Sequence, residues 1–366
     1  MKFLDSLKSL INRSGASTAN SDIGLGVDIG AAFLKIVEIK RVGGIMELST
    51  YGEIALGPHE EKALGDMTVL DIEKIKLALM TIFTDARVSA KHATIAISAN
   101  ESLIFTLKLP QMSRDDFQSI VVNEARKYVP VPITEVSLDW WRVPDIIQKE
   151  GDRSDTEDDV LVVAIKNEII NKYNTAFSGG IRDVNIANVE VETFSALRGV
   201  MNNELAPFIL LDFGARSVRI AIVEYGIVKT FHIVNRGSHF ITESLATTFG
   251  LGFEDAENMK RNLDIHEESK ESEHVLTNLQ YVKTQLSKTI INYEREYKSA
   301  VNKIILVGGG SLLGGFPEYL EKEFNIKVEL AKPFTKISTP EFLQETLEQT
   351  GPEFAVALGA SLRTFE

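Results

Sequence analysis

The 366-residue sequence contains no cysteine. Disulfide cross-links and thiolate metal centres are therefore excluded, and a reducing compartment suits the chain. Histidine is sparse. His59, His92, His232, His239, His266 and His274 show no paired ligand spacing, which argues against a zinc site. No run of about 18 apolar residues occurs, the length a helix needs to cross a bilayer, and no secretory leader is read at the start. Basic charge is short as well. Against 52 Asp and Glu stand 39 Lys and Arg, a net charge of -13. That is the wrong sign for a protein whose main partner is a nucleic-acid backbone. With these classes removed, an ordinary balance remains, 44% hydrophobic and 25% charged. It suits a globular α/β chain of roughly two domains.

The most informative stretch runs from Leu25 to Ile39. An apolar run enters Asp28-Ile29-Gly30, turns at Ala31-Ala32 and leaves through a second apolar run, which predicts a β-hairpin. Bare N–H groups in such a turn suit a phosphate, and the adjacent carboxylate suits a divalent cation. Alone, Asp-x-Gly is equally an ordinary turn. The pattern recurs, however, at Asp212-Phe213-Gly214-Ala215, and Lys35-Ile36 is matched by Arg219-Ile220 at the same offset. Each copy continues into a third strand, Met46 to Ala55 and Ile227 to Val234. A duplicated α/β fold is expected, with a ligand held between the halves and Asp28 and Asp212 facing one cation, Mg²⁺, through water.

Two further elements fit that picture. The buried strand Ile304 to Val307 runs into Gly308-Gly309-Gly310-Ser311 before a helix, so the backbone can approach a flat or charged ligand closely. It has neither the lysine of a P-loop nor the Gly-x-Gly-x-x-Gly spacing of a dinucleotide loop. Glu257 and Lys260 lie three apart on one face of a helix predicted over Phe253 to Asn262. They could bond ribose hydroxyls and a base, or be a surface ion pair. Gly237 and Thr242 follow the second meander, where a loop on the phosphate side is expected.

Elsewhere, Met1 to Ile11 has an apolar helical face followed by a Ser/Asn/Gly linker to Asp22. It reads as a frayed terminus or as a foot with weak membrane or partner contact. Glu101 to Lys166 is expected to be a β-α-β-β insert. Its helix begins at Ser113 and stops at Pro130 and Pro132, its second strand carries Trp140 and Trp141, and a charged mobile loop spans Gln148 to Asp159. Further helices are predicted over Ile169 to Phe177, Glu192 to Asn202, Val275 to Tyr297 and, rich in small residues, Phe354 to Leu362. The expected organisation is residues 1–22 as helix and linker, 23–205 as the first domain with its insert, and 206–366 as the second. Residues 237–300 would form the outer subdomain of the second, and the final helix would return to the first.

In this order, the two hairpins, the Glu257/Lys260 pair and the Gly308–Gly310 motif resemble the actin-like ATPase superfamily. The position of the insert resembles FtsA and the PilM family of type IV pilus assembly proteins more than actin. GVDIGAAFLKIVEI, Glu190-Val-Glu192 and FAVALGASLR look most like that PilM family. No FtsA-like amphipathic tail follows FAVALGASLR. The resemblance implies an actin-like fold around a nucleotide cleft holding ATP and Mg²⁺. The contacts it implies are Asp28, Gly30, Ala31, Ala32, Lys35, Asp212, Gly214, Ala215, Gly237, Glu257, Lys260, Gly308, Gly309, Gly310 and Ser311, with Asp28 and Asp212 at the metal. It also implies a cytoplasmic protein at the inner membrane that binds the N-terminal tail of a PilN-type membrane protein and other pilus platform proteins. The tail would lie in a groove between the first domain and the insert, near Trp140, Trp141 and Pro130–Pro132. Homo-oligomerisation is left open. Relatives place a hydroxyl where this chain has Ala31 and Ala32, and the second hairpin has Ala215 and Arg216 before Ser217. The expectation is therefore nucleotide holding with weak hydrolysis. Glu192, near the superfamily's water-positioning carboxylate, is the one catalytic candidate, and a helix-start acid favoured by the dipole is the more ordinary explanation. The alternatives are an FtsA-like filament former, a scaffold without nucleotide, or a sugar kinase or phosphatase for which no catalytic carboxylate is convincingly placed.

Overall fold

The computed structural model describes residues 22–110, 114–143, 157–178, 183–202 and 204–366. Strands β1 (Ile23–Ile29), β2 (Phe33–Val42) and β3 (Ile45–Ala55) form an antiparallel meander, in which Asp28 lies opposite Lys35. Helix α1 (Ile72–Asp85) follows, its first turn capped by the Asp71 carboxylate accepting from the Lys74 N–H at 2.8 Å. It leads to β4 (His92–Ile97), which pairs parallel with β1.

The chain then makes a separate three-stranded sheet of β5 (Ser102–Pro110), β6 (Val136–Arg142) and β7 (Glu157–Lys166), ordered β5-β7-β6. Helix α2 (Arg114–Ala125) joins Leu107, Leu109, Val160 and Val162 in a small core through Val121 and Ala125. Helix α3 (Asn167–Phe177) and β8 (Asn185–Val191), parallel to β4, return to the first sheet, whose order is β3-β2-β1-β4-β8. Helix α4 (Glu192–Val200) starts where β8 ends.

The second sheet repeats the plan. Strands β9 (Phe208–Phe213), β10 (Val218–Glu224) and β11 (Ile227–Val234) form the meander. Three helices come next, α5 (Ser238–Phe249), α6 (Phe253–Asn262) and α7 (Lys270–Tyr297). Then follow β12 (Lys303–Val307), α8 (Phe316–Phe324) and β13 (Lys327–Leu330). The order β11-β10-β9-β12-β13 matches the first sheet strand for strand, and Asp212 lies opposite Arg219 as Asp28 lies opposite Lys35. Parallel pairing sets the inner strands β9 and β12 between covering layers, so they read as continuous apolar runs.

Helix α9 (Gln344–Leu362) lies against β1 and α4. Small residues permit this approach. A Cβ on Gly26 would fall 1.9 Å from the Ala357 carbonyl oxygen, and one on Gly359 would fall 1.7 Å from that of Ser195.

Several elements differ in extent from the sequence expectation. Helix α9 begins ten residues before Phe354 and runs through Pro352. Proline removes one helical donor, but its own carbonyl is engaged from outside, accepting the Gly308 N–H at 2.9 Å. Helix α7 begins at Lys270, because the Ser269 hydroxyl caps it by accepting from the Ser272 N–H at 3.0 Å within a polar stretch that carries no apolar period. Glu157 to Asp159, expected in a mobile loop, belong to β7, where the fully buried Asp158 pairs with Arg142 at 2.6 Å. The expected N-terminal helix, the Ser113 cap and the loop from Gln148 to Thr156 lie outside the described residues.

Candidate functional site

The C-terminal ends of β1, β9 and β12 open on one cavity of about 400 Å³ between the two five-stranded sheets. It is lined by Asp28, Gly30, Ala31, Ala32 and Lys35 from the first hairpin and by Asp212, Gly214 and Ala215 from the second. Glu192, Glu257, Lys260 and Gly308 to Gly310 complete the wall. Four motifs scattered over nearly 300 positions of sequence therefore meet in one place.

The two hairpins close alike. The Gly30 N–H donates to the Phe33 carbonyl at 2.9 Å, and the Gly214 N–H to the Ser217 carbonyl at 3.1 Å. Among the described residues, the N–H groups of Ala31, Ala32, Ala215 and Arg216 have no backbone acceptor, so each turn keeps donors for an anion. Gly308 has φ +83°, and a Cβ there would sit 2.6 Å from Asp212 Oδ1 and 2.7 Å from the Phe213 carbonyl oxygen. Only glycine lets the end of β12 seat against the second hairpin.

Gly237 and Ser311, expected as ligand contacts, are not on the wall. The Ser311 hydroxyl is buried and donates to the Gly308 carbonyl at 2.6 Å, which shapes the glycine turn. Gly237 packs so closely on Ala215 that a Cβ would meet its carbonyl oxygen at 2.2 Å, and its N–H donates to the Arg216 carbonyl at 3.1 Å. Both hold the loops that carry the wall.

Glu257 and Lys260 are not a surface pair, being 8% and 9% exposed. Lys260 Nζ lies 2.6 Å from Glu257 Oε2 and 2.7 Å from Thr242 Oγ1, and the Thr242 hydroxyl donates to Glu257 Oε2 at 2.6 Å. Arg261 Nε donates to Glu257 Oε1 at 2.8 Å. Burial pushes the Glu257 carboxyl up, but Lys260, Thr242 and Arg261 outweigh it and hold the carboxyl below its usual range. Burial holds Lys260 below the usual lysine range against the pull of Glu257. Thr242 thus supports the pair from behind the wall. Over this corner passes the segment after β3. Gly65 lies beside Glu257, and Asp66 Oδ1 comes within 3.7 Å of Nε2 of His239, whose ring centroid is 5.1 Å from that of Phe253.

The floor is a charged cluster of Asp28, Glu192 and Asp212 with Lys35 and Arg219. Arg219 Nε and Nη2 reach Asp212 Oδ2 at 3.0 and 2.8 Å, and Nη1 reaches Glu192 Oε1 at 2.8 Å. Glu192 Oε1 also accepts from the Ala99 N–H at 2.6 Å and the Ser98 hydroxyl at 3.1 Å. The carboxylate expected to position water is therefore tied to the other half of the molecule. Burial pushes Glu192 up, with Arg219 opposing. Burial, reinforced by the negative charge of Glu192, pushes Asp28 up to about 7. Lys35 Nζ sits 3.5 Å from Glu53 and 4.9 Å from the Phe33 ring centroid.

This donor set offers no direct protein cage for a divalent cation between Asp28 and Asp212. Asp212 is 4% exposed, its Oδ2 is held by Arg219, and its Oδ1 packs against Gly308. Among the described residues, no group of three His, Asp or Glu side chains is placed to hold a metal. Sequence reasoning flagged Arg219 only as a repeat position. It missed Glu353, which lines the wall next to Gly309 and which burial pushes up. The signal for Arg219 was its shared offset with Lys35, and Glu353 lies one residue before the helix expected from Phe354.

The geometry has relatives. Among solved structures, the chain is similar to a PilM-PilN type IV pilus biogenesis complex at TM-score 0.79 and 24% identity, covering 94% of this chain and 98% of that one. It is similar to the ethanolamine utilization protein EutJ from Carboxydothermus hydrogenoformans at TM-score 0.53 and 16% identity, covering 98% and 97%. It is also similar to MreB 5 of Spiroplasma citri bound to AMPPNP, at TM-score 0.53 and 11% identity, covering 95% and 96%. These likenesses establish an actin-like fold. The family model described as type IV pilus assembly protein PilM matches residues 26–365, and the chain belongs to that family.

Proposed function

We propose that this protein is a nucleotide-holding component of the type IV pilus assembly platform, binding an adenine nucleotide, ATP by preference, in the cleft. The observation that carries the reading is the meeting of two like hairpins and the Gly308–Gly310 strand end on one cavity. In it, the spare N–H groups of Ala31, Ala32, Ala215 and Arg216 would take phosphates. The backbone at Gly308 to Gly310 would lie against the adenosine, and Glu257 and Lys260 would meet ribose and base. Lys35 adds positive charge on the phosphate side. The MreB 5 relative bound to AMPPNP supports this use of the fold. Hairpins without hydroxyls and a Glu192 that already accepts three hydrogen bonds favour retention over turnover.

The partner reading rests on the PilM-PilN relative. The cytoplasmic N-terminal tail of a PilN-type membrane protein would lie between the first domain and the β5-β7-β6 insert, placing the protein at the cytoplasmic face of the inner membrane beside other platform proteins. Among the described residues, strands β5 and β6 are the outer strands of that insert sheet, and either could accept an added strand. Trp140 and Trp141 on β6 are half-buried, and Pro130 and Pro132 are exposed. Calorimetry with ATP tests the nucleotide. A saturable one-to-one heat is expected, abolished by Gly308→Val, and no heat with the wild type would refute it. Hydrogen exchange with a synthetic tail peptide tests the partner. Slowing within residues 101–166 is expected, and its absence there would remove the groove assignment.

A further inference from the structure

We propose that the cleft holds its nucleotide without a divalent cation, with the Arg219 guanidinium occupying the role a metal ion would fill; this rests on the nucleotide reading above. Arg219 is 9% exposed and satisfies carboxylates from both halves, Asp212 on β9 and Glu192 at the start of α4. It also packs directly under the second hairpin. A Cβ on Gly214 would fall 2.8 Å from Arg219 Nη2. Positive charge is therefore fixed beneath the turn whose residues line the cleft. Asp212, the carboxylate that would have to turn toward a cation, has Oδ2 held by Arg219 and Oδ1 packed beside Gly308.

Charge and shape agree. Lys35 and Arg219 oppose the three floor acids Asp28, Glu192 and Asp212, and Lys35 is shared with Glu53, so Arg219 is the cation fixed among the floor acids. A planar guanidinium fork can serve two carboxylates at fixed geometry, which a lysine ammonium at the same repeat position cannot. Opening the Arg219–Asp212 pair for a metal would strand a buried charge.

The test is calorimetric titration of ATP into the full chain, once in EDTA and once in excess Mg²⁺. The expected result is a dissociation constant in EDTA equal to that in Mg²⁺ within about threefold. Arg219→Gln, checked for folding by its thermal melt, should lose about tenfold or more in EDTA and recover affinity in Mg²⁺. Arg219→Lys should behave as Arg219→Gln, because the fork is lost. Wild-type binding weaker by about tenfold or more in EDTA would overturn the proposal while leaving the nucleotide reading intact. An equal loss in both buffers for Arg219→Gln would overturn the role given to Arg219. No heat with the wild type in either buffer would instead refute the nucleotide reading and this inference with it. The wild-type comparison decides the metal question even if neither variant folds.

Discussion

Asp28 carries a clear electrostatic signature. Its carboxyl is raised to about 7 by burial and by Glu192. A folded chain that holds this proton more tightly than the unfolded chain loses stability as pH rises from the ordinary aspartate range through about 7. Asp28→Asn removes that penalty. The nucleotide-free variant should therefore melt at least about 2 °C above wild type near pH 8, with the gap closing toward pH 4. Thermal melts across pH would show a gap that does not change with pH if Asp28 were an ordinary exposed acid. The Glu257–Lys260–Thr242 knot makes a second prediction. Lys260→Met should cost about 3 kcal/mol in denaturant unfolding, because it leaves a buried carboxylate short of its nearest cation. Glu257→Gln in the same chain should restore part of the loss. At this scale the sequence was readable where a motif repeats, as with Asp28, Asp212 and the three glycines. It marked Arg219 as a repeat position but not its bridge to Glu192, which lies 27 positions away on the other half. No local pattern announces such a bridge.

At the scale of elements, backbone approach decides more than side-chain chemistry. The crossing of α9 on α4 and β1 depends on Gly26, Gly199 and Gly359, where an added Cβ would meet carbonyl oxygens at 1.9, 2.3 and 1.7 Å. Backbone cannot yield as a side chain can. Gly359→Ala should therefore destabilise by about 3 kcal/mol or more, as an overpacked core does at its upper range. Gly43→Ala is the matched control. Gly43 has φ +57° with nothing within 4 Å, so only conformational strain of about 1 kcal/mol is expected. Equal losses at the two positions would contradict the packing account. Apolar runs and turn residues made the strands and their meanders legible. Helix limits were less so, because α9 runs through a proline and α7 is capped inside a polar stretch. The first is bridged by a long-range bond from Gly308 to Pro352, and the second is set by a local Ser269 cap.

At the scale of the molecule, two sheets of identical order bring their phosphate-type hairpins together, and a third sheet is set between strands β4 and β8 of the first. The halves are tied below the cavity by Arg219 to Glu192 and by Asn100 to Ser217 and Asn235, and above it by Asp66 facing His239. A ligand seated between these ties would bias how the halves sit, and with them the insert that is proposed to hold the partner tail. Duplication was legible from Asp28-Ile29-Gly30-Ala31 and its echo at Asp212, but the ties were not, being made by single polar residues without a motif. The measurement that tests the central claim most directly is hydrogen exchange of the full chain with and without saturating ATP. The account predicts that slowing appears together at residues 28–33, 212–217, 257–260 and 308–311. Slowing confined to other segments, or none at all, would contradict it.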